Sequence, residues 1–125
     1  MATPLKFTSG GKPYERDAEK ILFAKGKKKK CTLTFKDDEE LVYPYGLKKI
    51  EKLLEGKNYR RVGKSYFVYY PAFVDTRYMT GILWNGKRIT LFKEEYEELK
   101  KHLLAKKNRL FNLPFSSHFP SVNPN

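Results

Sequence analysis

Residues 79–92, MTGILWNGKRITLF, carry the clearest local signal in the chain. Ile82-Leu83-Trp84 and Lys87 to Phe92 are strand-forming runs on either side of Asn85-Gly86, a pair that tolerates the positive φ needed at both centres of a two-residue hairpin turn. The stretch predicts an antiparallel hairpin. Downstream, KEEYEELKKHLLAKKNRL places Tyr96, Leu99, Leu103 and Leu104 on one face, with glutamates early and lysines late, which complements a helix dipole. Upstream, YRRVGKSYFVYYPAFVD is rich in Tyr, Phe and Val and is broken by Gly63 and Pro71, so it reads as further strand.

Working further outward, LKKIEKLLEGK has Leu47, Ile50, Leu53 and Leu54 at helical spacing and is closed by Gly56. Before it, Cys31, Leu33 and Phe35 alternate with Thr32 and Thr34. The chain then turns through Lys36 to Glu39 and returns in Leu41 to Tyr45, a second hairpin. Ile21 to Ala24 is a short buried strand. Residues 1–13 form an extended piece punctuated by Gly10-Gly11, which pairs with a strand beginning at Tyr14. The fold class expected is mainly β: elongated antiparallel sheets with a short amphipathic helix in the middle and a C-terminal helix. Leu33, Phe35, Ile50, Leu53, Val68, Leu83 and Leu99 are the expected core.

The 125 residues suit one domain, read as an N-terminal extension (1–11), a folded unit (12–104) and a tail (105–125) in which Phe111, Phe115 and Phe119 are spaced among prolines. A hydrophobic content of 40% is too high for a disordered chain, and no apolar run is long enough to span a bilayer. With no apolar signal segment and a single cysteine, a soluble cytoplasmic protein is expected, without a membrane. Cys31 fits the alternation of a strand better than a reactive thiol. His102 on a lysine-rich helix and His118 in the tail have no nucleophile or carboxylate at catalytic spacing, which argues against an enzyme. The acidic runs at Asp37–Glu40 and Glu94–Glu98 lack metal-loop spacing, and no glycine-lysine motif has the form of a phosphate loop, so no cofactor is expected.

The net charge of +12 is concentrated in residues 1–36 and 57–88, which flank a net acidic segment. A basic domain of this size attracts polyanions, nucleic acid first, because neutralised phosphates release condensed counterions. Lys27, Lys28, Lys29 and Lys30 join two predicted strands at one end of a sheet. Arg60, Arg61, Lys64, Ser65 and Tyr66 repeat the situation with groups that hydrogen-bond to phosphate or base edges.

In this order the parts resemble a LytTR domain, the DNA-binding module of bacterial response regulators of the LytR and AgrA type. The match runs over roughly residues 12–104. It includes a "DIxYIE"-like strand at Ala18 to Lys25, a basic loop, a hairpin, and a "sLkeLeekL"-like helix at Gly46 to Glu55. YRRVGKSYFVYY stands where the family has "FxRvHrSyiVN", and NGKRITLFKEEYEELKK where it has "NGkxixxSrrYkxxLkk". Gly63 replaces the family's usual His, Lys64 its Arg, Tyr69 its Asn, and Lys93-Glu94-Glu95 its Ser-Arg-Arg. The resemblance implies a stand-alone transcriptional regulator that binds double-stranded DNA with sequence preference through loops. Lys27–Lys30 would form one loop, Arg61, Lys64, Ser65 and Tyr66 a second, and Lys93 the third contact. The alternative is an interaction module on the same scaffold, forming a homodimer or binding a second protein through Phe111, Phe115 and Phe119.

Overall fold

A computed structural model describes the backbone of residues 3–111 and the side chains of residues 3–106. Its centre is a five-stranded antiparallel sheet in the order β5-β4-β3-β7-β6. These strands are β3 (Ile21–Lys27), β4 (Lys30–Phe35), β5 (Glu40–Tyr43), β6 (Tyr59–Val62) and β7 (Tyr66–Tyr69). Neighbouring residues of a strand point to opposite faces, and the sequence loads both faces here. Ala24 and Phe67 enter one core with Leu33, Phe35, Leu47, Ile50 and Leu54, whereas Phe23 and Val68 enter another with Phe73, Leu83, Ile89 and Leu99. The first core is covered by the hairpin of β1 (Pro4–Ser9) and β2 (Lys12–Asp17) and by helix α1 (Leu47–Leu53). The second is covered by a three-stranded sheet of β8 (Phe73–Arg77), β9 (Thr80–Leu83) and β10 (Arg88–Thr90), with helix α2 (Lys93–Phe111).

The expected mainly β class with two helices is therefore found, and six of the seven expected core residues are buried; Leu53 is half-buried. Residues 3–9, placed by the sequence reading in an extension, contribute the buried Leu5 and Phe7 through β1. Helix α2 runs to Phe111, past residue 105, where that reading began the tail. On this helix Tyr96, Leu99 and Leu103 pack inward, while Leu104 is exposed because it lies off that stripe. The side chain of Phe111, and Phe115, His118 and Phe119 entirely, lie outside the described residues.

The Asn85-Gly86 turn differs from expectation. Gly86 N–H donates to Leu83 O at 2.8 Å and Leu83 N–H to Lys87 O at 2.9 Å, and of the turn only Gly86 has positive φ, at +89°. This is a three-residue loop of Trp84, Asn85 and Gly86, not a two-residue turn. Burial decides the matter. Opposed residues of an antiparallel pair share a face, and Gly81 opposes Ile89, so Leu83 and Ile89 both enter the core. A two-residue loop would oppose Ile82 to Ile89 and turn Leu83 outward. The two-residue turn with positive φ at both centres occurs instead at Gly10-Gly11, between Ser9 and Lys12.

Candidate nucleic-acid interface

The lysine run does not form a loop. β3 and β4 pair down to Lys27 opposite Lys30, so only Lys28 and Lys29 turn, and Lys28 carries a positive φ of 59°. Left-handed backbone costs a non-glycine residue roughly 1–2 kcal/mol, which a tight hairpin tip imposes. All four lysines are exposed. The second basic segment is the three-residue connection Gly63-Lys64-Ser65 between β6 and β7, with Val62 opposite Tyr66.

Gly26 brings the two together. Its N–H donates to Ser65 O at 2.8 Å, tying the β3–β4 tip to the β6–β7 connection. Its Cα also lies so close to α1 that an added Cβ would meet Leu47 Cδ1 at 2.9 Å. Three segments therefore meet around one glycine, and between them lies an open groove of about 730 Å³. Lys28, Lys29, Lys48, Lys49, Arg61 and Lys64 line it, over a floor that includes Pro44, Tyr45 and Leu47. Among the described residues no carboxylate lines it. Of the six cations only Arg61 has an acidic partner among the described residues, Nη1 donating to Glu51 Oε2 at 3.0 Å.

Of the residues expected from sequence, the groove thus gathers Lys28, Lys29, Arg61, Lys64 and Ser65. Lys27 and Lys30 sit on the strands behind the tip, beside a hollow of about 570 Å³ bordered by Thr32 and Val42. Tyr66 packs on the second core, its ring centre 5.9 Å from that of Phe23, with Lys25 Nζ at 5.7 Å and Lys87 Nζ at 5.6 Å. Lys93 stands at the head of α2, exposed and outside the groove. Arg60 is engaged elsewhere: its guanidinium donates to both Glu98 carboxylate oxygens, at 3.0 and 2.9 Å, and lies over the Tyr70 ring. That hydrogen-bonded pairing raises the Arg60 pKa and lowers that of Glu98.

The sequence reading missed Lys48 and Lys49. Their signal is local: they stand in the first turn of a helix, which contains no acidic residue although that position favours carboxylates.

The departures at positions 63 and 95 acquire physical reasons. Gly63 has φ +63°, and a Cβ there would lie 2.6 Å from Thr90 O, so histidine does not fit this backbone. Glu95 Oε1 accepts from Phe92 N–H and from Gly63 N–H, both at 2.9 Å. The first bond is half of a capping box, and the second pins the β6–β7 connection to the start of α2. Glu94 is exposed. At position 69, Tyr69 lies beneath Lys36 Nζ at 3.8 Å and against Trp84.

Cys31 is buried, and that burial pushes its thiol up to about 11. Among the described residues no three His, Cys, Asp or Glu side chains are grouped to hold a metal ion, and no helix is long and apolar enough to cross a membrane.

No protein-family model matches the sequence, and neither does any curated protein. Among solved structures, the chain is similar to the LytTr DNA-binding domain of a Bacillus cereus protein described as a methyl-accepting/DNA response regulator. The TM-score is 0.61 at 17% identity, over 83% of this chain and 98% of that one. A likeness at that identity is one of fold, and the fold is of the LytTR type.

Proposed function

We propose that this chain, having the LytTR-type fold, binds double-stranded DNA with sequence preference and acts as a transcriptional regulator. The observation that carries the reading is the convergence of cations from separate segments on a groove that no carboxylate of the described residues lines. Such clustering attracts a phosphate backbone, whereas a surface serving solubility alone intersperses both signs. The Bacillus cereus neighbour, described as a DNA-binding domain, supports it at the level of fold.

In this reading Lys27 to Lys30 neutralise phosphates, and Ser65 and Lys93 set the register. Lys64, central in the β6–β7 connection and exposed, is the base-reading residue of this proposal. Arg61 reaches the ligand with the guanidinium nitrogens that Glu51 leaves free.

The test is a salt series on a labelled duplex. Replacing Lys27 to Lys30 by alanine weakens binding to every sequence and flattens the slope of log K against log salt by about 0.9 for each phosphate no longer neutralised. Lys64→Ala instead reduces discrimination between sites, by roughly 1–3 kcal/mol. A quadruple variant with unchanged affinity and slope would reduce the lysine tip to a solvated surface.

A further inference from the structure

We propose that α1 and the segment leading into it form a second wall of the DNA site, with Lys48 and Lys49 holding a phosphodiester backbone against the hairpin tips. The inference rests on the DNA-binding reading and adds an element that neither the loops nor the fold resemblance assigns.

The wall is rigidly placed. Leu47 is buried against Gly26, and Gly26 is hydrogen-bonded to Ser65, so the first turn of α1 cannot move away from the tips without opening the first core. Its two lysines are exposed and without acidic partners among the described residues, although α1 itself carries Glu51. Glu51 is turned instead to Arg61. Lys49 Nζ lies 3.9 Å from the centre of the Tyr45 ring, and Tyr45 is 46% exposed in the groove, so the ammonium is held at the mouth. Neither lysine gains from the helix dipole at these two positions, where the first turn of a helix favours the opposite charge.

What the positions do provide is a pair of donors that line the same groove of about 730 Å³ as Lys28, Lys29 and Lys64. The apolar floor of Pro44, Tyr45 and Leu47 is suited to sugar edges, while the cationic rims are suited to phosphates on either side. A backbone lying in the groove is held from both walls.

The experiment uses the full chain and a duplex of about two helical turns, titrated over a potassium chloride series. Lys48→Ala and Lys49→Ala are compared with Lys52→Ala, which removes the same charge from an exposed position on the same helix outside the groove. The expected result is a slope shallower by about 0.9 for each groove lysine and unchanged for Lys52→Ala. A second measurement replaces single phosphates by neutral methylphosphonates. Wild-type chain then loses affinity at phosphates where the Lys48→Ala, Lys49→Ala double variant is insensitive. Equal slopes for all three single variants, or the same methylphosphonate map for wild type and double variant, would overturn the second wall while leaving the hairpin contribution intact. A wild-type chain with no salt-dependent DNA binding would overturn the underlying reading and this one with it.

Discussion

Cys31 shows how one buried group ties stability to pH. Its side chain is 1% exposed on β4, and its thiol is pushed from an ordinary value of 9.0 up to about 11 because the thiolate would be desolvated. Between those values the unfolded chain gives up the proton and the folded chain keeps it, so unfolding is favoured as pH rises. Stability is expected to fall by ~1.4 kcal/mol per pH unit in that window through this residue. Urea denaturation of wild type and Cys31→Ala at several alkaline pH values checks it: the variant lacks this part of the slope. Tyr59, also raised by burial, contributes equally to both chains and cancels in the comparison. At residue scale, too, Glu95 shows why a departure from a family pattern need not concern the ligand. Its carboxylate holds two backbone N–H groups, a role set by tertiary packing between β6 and α2 and invisible in the order of residues.

Elements were legible where their own residues decide them. The alternation of Cys31, Leu33 and Phe35 in β4, the Tyr, Phe and Val content of β7 and the Leu47, Ile50, Leu54 spacing of α1 identify strands and helix without reference to neighbours. Turn chemistry located the β9–β10 hairpin but not its loop length, because register is settled by which side chains the core takes, here Leu83 with Ile89. The same limit applies to the site. Lys28 and Lys64 stood out as members of basic clusters, whereas Lys48 and Lys49 join them only through the packing of Leu47 on Gly26. Gly26→Val tests that packing. The added side chain must displace Leu47, an overpacking that typically costs 1–3 kcal/mol. DNA affinity is expected to fall as well, though no cation is altered, because the tips and α1 are pushed apart. Denaturant unfolding and anisotropy on the same variant separate the two effects, and lowered stability with undiminished affinity would show that the spacing of the walls is immaterial.

For the whole molecule, the first eleven residues matter more than their position suggests. β1 supplies Leu5 and Phe7 to the first core, and Thr3 accepts from Ala18 N–H at 2.7 Å while donating its own N–H to Asp17 at 3.0 Å. Losing a buried Leu or Phe costs about 2–5 kcal/mol, against a typical total stability of 5–15. Deleting residues 1–11 is therefore expected to lower the melting temperature sharply or abolish cooperative unfolding, as a circular-dichroism melt would read. A deletion variant melting like the intact chain would mark β1 as dispensable. The bulge in β3 has a consequence of another kind, for how such chains change by insertion and deletion. Between Ile21 and Phe23 the register slips by one, so that Leu22 and Phe23 both feed the second core before alternation resumes at Ala24. That slip absorbs the one extra residue that β3 carries against β4. Losing Leu22 would remove the bulge and leave Ile21, Phe23 and Ala24 in plain alternation, with Ala24 still opposite Leu33 and Gly26 still opposite Cys31 and against Leu47. A single-residue gap at Leu22 is thus compatible with this groove, whereas an alignment that places the gap after Ala24, where pairing is regular, pairs the wrong sides of the sheet.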